Sequence, residues 1–298
     1  MPDFDLSITI CSWNTVGDLR ACLQSLREAA DEGSFEVVVV DNASEDGSAD
    51  MVEAEYPEFV LLRQYTNLGF TGGHNLAIKE ARGRDVALLN SDTIVHRGAV
   101  SRVISYMQSH PDVGIVGPKL LNPDGSLQLS CRRFPNPVAA AFRNTWLGRM
   151  FPNNRYLREY LMTDFEHDAP REVDWVSGAA LFIRREVIDS IGLLDDEYFM
   201  YCEDVDYCKR AWNAGWKVMY LPDAVITHAI GRSSDQAPNR MIARFHLSML
   251  RYYTKHVVSQ QFLLVRPFSW LFAAAALGTR ATLFYIKNQI DKVRRENA

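Results

Sequence analysis

Apolar runs alternate with helix-like segments along the first half of the chain. The apolar runs predict strands at 7–11, 36–40, 59–63, 85–89 and 113–116. The segments between them predict helices at 16–30, 73–81 and 99–109, and in the first of these an apolar face is formed by Leu19, Cys22, Leu23 and Leu26. Four consecutive valines in the run 36–40 are typical of a strand that is buried on both faces of a parallel sheet. This alternation predicts an α/β fold with a doubly wound sheet and right-handed crossovers.

The second half of the chain is less regular. Residues 122–171 contain five prolines and little periodicity, which predicts an insertion with short helices. Beyond it the pattern predicts a strand at 173–184 that is broken at Gly178, helices at 185–191 and 203–214, and two short strands at 217–221 and 224–228. A further helix is predicted at 240–258, with an apolar stripe formed by Ile242, Phe245, Met249 and Tyr253.

Charge is distributed unevenly over the 298 residues. Residues 232–298 contain 11 Lys and Arg against 3 Asp and Glu, whereas residues 1–231 contain 21 against 34. The acidic body indicates metal or cation chemistry, and the basic tail indicates an anionic partner, either a membrane or a nucleic acid. The overall composition, 47% hydrophobic and 23% charged, is that of a globular protein and excludes a disordered chain.

The cysteines and the N-terminus bear on the cellular compartment. Five cysteines at irregular spacing form no CxxC pair, which predicts reduced thiols in a cytosolic protein. The acidic segment MPDFDLSITIC lacks the basic and long apolar regions of a signal peptide. We therefore expect a cytoplasmic protein.

Acidic and amide side chains follow two neighbouring predicted strands. Asp41 and Asn42 come directly after the run 36–40, and Asn90 and Asp92 follow the run 85–89. Such residues also make good turns. In open α/β sheets, however, ligands bind beyond the carboxyl ends of the strands, and carboxylates that converge there repel one another unless a cation is present. The pattern indicates a ligand crevice with a bound cation.

A second group of candidate residues lies later in the chain. The first turn of a predicted helix contains three acids, Glu203, Asp204 and Asp206. The helix dipole favours acidic residues in this turn, but three acids exceed what helix capping requires. His228 ends a predicted strand just before a glycine turn that would expose its imidazole. Asp and His side chains together with phosphate oxygens form a suitable shell for Mg²⁺ or Mn²⁺.

Several enzyme classes lack their motifs in this sequence. The glycines of LGFTGGHN have the wrong spacing for the dinucleotide fingerprint GxGxxG. The sequence also contains no P-loop and no GxSxG nucleophile elbow. These absences argue against a simple dehydrogenase, an ATPase and an α/β hydrolase.

Seven segments of the sequence occur in the order typical of one known family. They are SITICSWN, VVVVDNASEDGS, NLGFTGGHN, LLNSD, WVSGAALFIRREV, YFMYCEDVDYCKRAWNAGW and HAIGRSS. Over about residues 6–256 the chain resembles the family 2 glycosyltransferases of GT-A fold, in particular their bacterial rhamnosyltransferase-like branch. The resemblance implies a Rossmann-like, mostly parallel twisted sheet flanked by helices. Together with the charge distribution, it leads us to expect a nucleotide-sugar transferase domain at 1–231 and a basic helical C-terminal region at 232–298.

The resemblance also implies roles for individual residues. It assigns the general base to Asp204 and a divalent metal to Asp92 and His228. It assigns the nucleotide sugar to Ser12, Asn14, Asp41, Asn42, Gly72, Asn75, Asn90 and Asp92. It assigns the acceptor pocket to Trp175, Ser177, Gly178 and Glu203. Because Asn90 stands where the family's DxD motif begins with Asp, Asp92 is the single carboxylate of that motif, and His228 becomes more necessary as a ligand.

The implied activity is that of an inverting, Mg²⁺- or Mn²⁺-dependent hexosyltransferase. The donor is a nucleoside-diphosphate sugar, with dTDP-rhamnose suggested by the resemblance alone. The acceptor is a hydroxyl of a glycan or a lipid-linked molecule in the synthesis of cell-surface polysaccharide. A sugar-phosphate nucleotidyltransferase and a non-catalytic nucleotide-binding protein are the alternatives.

The C-terminal region has two interpretations. Thirteen residues between Arg266 and Arg280, mostly apolar, are too few to span a bilayer, which needs about 20. Aromatic residues and flanking Arg and Lys suit an amphipathic segment on the anionic inner face of the cell membrane, and nucleic acid is then not a partner. The alternative is a helix that packs on the body or on a second subunit of a homo-oligomer. The RYYTKH segment resembles the same branch and suggests a basic residue near the donor diphosphate.

Overall fold

The computed structural model describes residues 2–143, 145–229 and 238–296. The strands are β1 (Phe4–Ser12), β2 (Phe35–Asp41), β3 (Val60–Arg63), β4 (Gly83–Asn90), β5 (Thr93–Val95), β6 (Val113–Leu121), β7 (Leu127–Gln128), β8 (Cys131–Arg132), β9 (Arg171–Glu172), β10 (Trp175–Val176), β11 (Ala180–Arg184) and β12 (Lys217–His228). Ten of these described strands form one sheet with the order β3-β2-β1-β4-β11-β6-β12-β5, in which β7 pairs with β6 and β9 with β12. The strands β8 and β10 form a separate small sheet.

Helices cover the sheet and extend beyond it. They are α1 (Val16–Glu28), α2 (Ser48–Glu55), α3 (Gly69–Glu80), α4 (Ala99–Ser109), α5 (Pro137–Phe142), α6 (Trp146–Met150), α7 (Arg155–Leu161), α8 (Arg185–Ile191), α9 (Glu203–Asn213), α10 (Pro238–His256) and α11 (Arg266–Glu296). The predicted α/β fold with a mostly parallel sheet is confirmed, since β1, β2, β3 and β4 are all parallel. The valines of β2 are buried, as expected for a strand covered on both faces.

Two strand predictions need correction. Residues 217–228 form one strand rather than two, and β12 pairs with β6 along its length. Its register shifts between Leu221 and Val225, where a bulge accommodates Pro222 without ending the strand. Residues 173–184 do break at Gly178, but the two halves join different sheets: β10 pairs with β8, and β11 lies antiparallel between β4 and β6.

The helix α10 is anchored to the body by an acidic side chain that is fully buried. Asp206 on α9 contacts Arg210, Lys255 and His256 at 2.9, 2.8 and 2.7 Å. Burial alone would raise the pKa of Asp206, but the hydrogen bonds from His256 and Lys255 and the charge of Arg210 lower it instead. This cluster turns Tyr252 and His256 inward, so the predicted apolar stripe of α10 is not its most buried face.

The last helix packs lengthwise on α10 and leaves much apolar surface exposed. The hydroxyl groups of Tyr253 and Ser269 lie 3.0 Å apart, and Asn288 Nδ2 donates to Asn239 Oδ1 at 2.7 Å. No helix in the described part of the chain is both long and apolar enough to cross a bilayer. The predicted boundary between 231 and 232 falls in 230–237, outside the described residues, and it stays a prediction.

Candidate active site

A cleft of about 370 Å³ opens where β1, β2 and β4 end. Eight of the residues proposed from the sequence line it: Asn42, Asn90, Asp92, Ser177, Gly178, Glu203, Asp204 and His228. These residues come from segments far apart in the chain. Several of them meet because parallel strands have their carboxyl ends at the same edge of the sheet. The volume of the cleft falls in the range of about 300–1,000 Å³ that is usual for small-molecule sites.

Asp92 and His228 face each other on one wall of this cleft. Asp92 Oδ1 lies 3.3 Å from His228 Nε2, and the Asn90 amide nitrogen lies 3.1 Å from the same ring nitrogen. The other ring nitrogen, Nδ1, lies 2.7 Å from Gln128 Oε1 and donates its proton there. Gln128 is positioned in turn by hydrogen bonds to Asn122 Oδ1 and to the His228 carbonyl. Nε2 therefore has the lone pair, which accepts a hydrogen bond from the Asn90 amide group and lies beside Asp92 Oδ1. A metal bound here would take the place of that hydrogen bond.

This donor set fits a divalent cation that draws its remaining ligands from a substrate. Asp92 and His228 are nearly buried, with 9% and 10% of their side chains exposed. Among the described residues, no cluster of three or more His, Cys, Asp and Glu side chains forms a complete cage. Magnesium sites in enzymes commonly have one or two protein carboxylates plus substrate phosphates and water. The pair therefore suits a cation that binds together with a diphosphate.

Asp204 lines the same cleft from the first turn of α9. Its Oδ2 accepts a hydrogen bond from the Gly178 backbone at 2.9 Å, and its Oδ1 accepts one from Val205 at 2.8 Å. Burial raises the pKa of Asp204, although those two N–H groups and the charge of Arg132 oppose the rise. A carboxylate held in this way keeps lone pairs free for a hydroxyl group. Asp204 has the properties of a general base.

The approach to α9 holds the backbone in an uncommon conformation. Tyr201 and Cys202 have φ values of 73° and 66°, in the left-handed region that residues other than glycine seldom adopt. Two such residues in succession turn Glu203 and Asp204 into the cleft at the helix start. Strain of this kind is typical of functional sites.

Glu203 lies next to Asp204 in the cleft and is the more deeply buried of the two acids. It is 7% exposed, and its Oε2 has no hydrogen-bond partner among the described residues. Burial and the neighbouring charge of Asp204 raise its pKa well above the usual range. The carboxyl group is therefore suited to donate a hydrogen bond to a bound ligand.

The ends of β1 and β2 form a polar layer beside the cleft. Asp41 is 3% exposed; its Oδ2 accepts from the Ser44 backbone at 3.2 Å, and its Oδ1 has no partner in the described part of the chain. Ser12 joins Thr15 through hydroxyls 3.0 Å apart. Asn14 accepts from the Glu45 backbone at 2.8 Å, which fixes the loop after β1.

Six of the proposed residues do not line the cleft itself. They are Ser12, Asn14, Asp41, Gly72, Asn75 and Trp175. Asn75 exchanges two hydrogen bonds with the Leu194 backbone, and Trp175 Nε1 donates to the Arg133 carbonyl. Asn42 lines the cleft, but its amide also binds Asn67, Leu68 and Gly69. The nucleotide and acceptor roles of these residues stay predictions.

Two cationic residues of the cleft were missed by the sequence prediction. Arg240 and Arg244 reach it from the first turns of α10, and the Arg244 guanidinium lies 3.3 Å from the ring centre of Phe199. The basic residues of RYYTKH do not reach it: Arg251 and Lys255 both pair with Asp195. The spacing of Arg240 and Arg244, four residues apart on one helix face, was the available signal.

Comparisons with known proteins agree on one family. The profile described as Glycosyltransferase like family 2 matches residues 2–245. An N-acetylglucosaminyl-diphospho-decaprenol L-rhamnosyltransferase of Mycobacterium tuberculosis is 30% identical over 254 residues, 82% of each chain. A dTDP-rhamnosyl transferase of Shigella flexneri is 25% identical over 252 residues, 84% of this chain and 75% of that one. The solved mannosyltransferase of Pyrobaculum calidifontis with GDP-Man and Mn²⁺ is similar with a TM-score of 0.57 at 16% identity, over 98% of this chain and 83% of that one.

Proposed function

Because the chain belongs to the family 2 glycosyltransferases and has their GT-A fold, we propose that it transfers rhamnose from dTDP-rhamnose to a lipid-linked acceptor, with inversion and with a divalent metal. One observation carries the proposal above all others. A partly buried carboxylate, Asp204, lies in the same cleft as the Asp92–His228 pair. Such a cleft can activate a hydroxyl group on one side and hold a diphosphate on the other.

Asp204 accepts the proton of the acceptor hydroxyl. The Gly178 and Val205 backbone groups fix its orientation, so the oxygen that takes the proton is already in place before the acceptor binds. Glu203, with its raised pKa, donates a hydrogen bond to a second oxygen of the bound sugars. Direct attack by the activated hydroxyl, opposite the departing diphosphate, inverts the anomeric carbon.

The diphosphate leaving group is held by cationic groups of the same cleft. Arg240 and Arg244 line it and supply positive charge, and guanidinium groups bind phosphate oxygens in a bidentate manner. Asp92 and His228 would hold Mg²⁺ or Mn²⁺, which when bound neutralises the charge that develops on the diphosphate. Asp41, through its unpartnered Oδ1, is a candidate to accept a hydrogen bond from the nucleoside.

The substrates are inferred from the relatives. Both rhamnosyltransferases transfer rhamnose according to their names, and the mycobacterial one uses an acceptor on a diphospho-decaprenol carrier. Their similarity extends over most of this chain, which supports the same class of donor and acceptor and a role in cell-surface polysaccharide synthesis. With a lipid-linked acceptor, the enzyme would act at the cytoplasmic face of the cell membrane.

The exposed apolar side chains near the start of α11 support that membrane contact. Phe262, Leu264 and Phe268 are 72%, 71% and 74% exposed. Exposed apolar patches of this kind mark protein or membrane interaction sites. Neighbouring Arg and Lys residues would add attraction to anionic lipid.

Calorimetric titration with dTDP-rhamnose, UDP-glucose and GDP-mannose, each with and without Mn²⁺, tests the proposed donor. We expect dTDP-rhamnose to bind most tightly, and only in the presence of the metal. Tighter binding of another nucleotide sugar would replace the donor but keep the enzyme class. Failure of all three to bind with metal present would contradict the proposed function.

A further inference from the structure

A second cavity, much larger than the active-site cleft, runs between the insertion and the C-terminal helices. Its volume is about 1560 Å³, and its walls are contributed by α5, α6, α7, α10 and α11. Apolar side chains dominate the lining, among them Phe142, Leu147, Phe272, Leu277 and Leu283. Phe272 and Leu283 are 76% and 62% exposed. We call this cavity the apolar groove; a long hydrocarbon chain would cover it.

Three arginines cluster beside the apolar groove, and one of them, Arg280, lines it. Arg143 Nη1 donates to Tyr160 Oη at 3.0 Å, and Arg280 Nη2 donates to the Arg143 carbonyl at 3.2 Å. Burial lowers the pKa of both Arg132 and Arg280, and the charge of Arg143 lowers both further. Like charges gathered in a partly buried place repel one another unless an anion joins them.

The arginine cluster also has unused hydrogen-bond donors. The Nε atoms of Arg132 and Arg280 are buried and have no partner among the described residues. Within those residues, the charge of Asp204 acts on Arg132, whereas no carboxylate acts on Arg280. Buried donors without partners cost free energy, which an anionic ligand would recover. A diphosphate, with several acceptor oxygens and more than one negative charge, matches this cluster.

A short structural path connects the cluster to the proposed base. Arg132 on β8 lies opposite Trp175 on β10. The residues that follow β10 are Ser177, whose N–H donates to the Ser130 carbonyl, and Gly178, whose N–H donates to Asp204. The charge of Arg132 acts on the pKa of Asp204 directly. An anion bound at the cluster therefore lies near the Gly178 and Asp204 end of this path.

We infer that the apolar groove and the arginine cluster together bind the carrier of the acceptor, a polyprenyl diphosphate, with its chain in the groove and its diphosphate on Arg132, Arg143 and Arg280. The inference rests on the proposed function and adds to it a site for the acceptor's carrier. The sugar attached to that diphosphate would then extend toward Asp204. The exposed apolar residues next to the groove on α11 would let the chain enter from a membrane.

Binding of farnesyl diphosphate to the full chain, measured by calorimetry, tests this inference without any need for catalysis. Farnesyl diphosphate should bind, whereas farnesol and inorganic diphosphate, which each supply only half of the ligand, should bind more weakly. Arg143→Gln should weaken the binding of farnesyl diphosphate about tenfold to a hundredfold, the usual effect of losing a hydrogen bond to a charged group. The exposed Arg155→Gln, with the same change of charge on α7, should leave binding unchanged.

A matched pair on α11 tests the groove independently of the arginines. Ala276 lines the groove, and its neighbour Ala275 does not. Ala276→Phe should obstruct the chain and weaken farnesyl diphosphate binding, whereas Ala275→Phe should not. Equal binding by both variants, or inorganic diphosphate binding as tightly as farnesyl diphosphate, would overturn the inference.

Two further outcomes separate this inference from the proposed function. If dTDP-rhamnose binds with metal but farnesyl diphosphate does not, the carrier site is wrong and the proposed function stands. If sedimentation shows a dimer that loses its association on Ala276→Phe, the groove is covered by a second copy of the chain, which would also overturn the inference.

Discussion

Asp204→Asn is expected to reduce kcat for sugar transfer by about 10²–10⁴-fold, the usual contribution of a positioned general base. The amide keeps the size of the side chain and one oxygen to accept the Gly178 hydrogen bond, but it cannot take a proton. The dissociation constant of the nucleotide sugar should not change, because the proposed donor-binding residues, Asp41, Asp92 and His228, are all retained. Steady-state kinetics and calorimetry on the same preparation measure both quantities.

The exposed Asp196 provides a control for this variant. Asp196→Asn makes the same chemical change a few residues before α9 and should leave kcat unaltered. If Asp204→Asn instead abolished donor binding and spared transfer in the residual complex, the assignment of Asp204 as base would be wrong.

The pH profile provides a second test of the same assignment. Burial raises the pKa of Asp204, and the opposing hydrogen bonds do not cancel the rise. A base acts only when deprotonated, so transfer should fall as pH decreases through this raised pKa. The acid limb should therefore lie above about pH 3.9, the usual pKa of an aspartate. It should disappear in Asp204→Asn.

His228→Ala is expected to weaken Mn²⁺-dependent donor binding at least about 10–100-fold, the loss usually caused by removing even an outer-shell partner of a metal ligand. The physical reason is that His228 and Asp92 are the only two ligands proposed for the cation, so the loss of one leaves a single carboxylate. Gln128→Leu, which frees the His228 Nδ1 proton from its acceptor, should produce an intermediate loss. Titration of Mn²⁺ in the presence of dTDP, followed by electron paramagnetic resonance, measures both effects.

His96→Ala provides the matched control for the metal site. His96 is exposed, and its Nε2 lies 2.8 Å from Thr227 Oγ1, directly before His228 in the chain. Its removal should not change Mn²⁺ affinity. Unchanged Mn²⁺-dependent donor binding in His228→Ala would exclude the pair as the metal site.

Much of the transferase core follows from local sequence patterns. The valines of β2 and the apolar face of α1 are buried as expected. Burial against a sheet imposes a periodic pattern of apolar residues, which can be recognised within a few consecutive turns or strand residues. The residues after β2 and β4 lie in or beside the cleft because parallel strands share one carboxyl edge. The strand β5 (Thr93–Val95) was not predicted, because three residues are too few to show a strand pattern.

The remainder depends on contacts between distant segments. Whether residues 217–228 form one strand or two depends on their pairing with β6, and β6 lies too far away in the sequence for a local pattern to reveal that pairing. The buried face of α10 is set by Asp206, an acid on another helix, so its apolar stripe was misleading. Arg240 and Arg244 enter the cleft for the same reason, since the docking of α10 decides which of its basic residues reach the site.

The configuration of the newly formed glycosidic bond distinguishes a single displacement from a double one. In the proposed reaction one protein carboxylate, Asp204, activates the acceptor for a single direct displacement. Transfer from dTDP-rhamnose to a polyprenyl-diphosphate-linked sugar, followed by measurement of the one-bond coupling between the anomeric carbon and its proton, reports that configuration. We predict the configuration opposite to that of the donor. A product with the donor's own configuration would contradict the account.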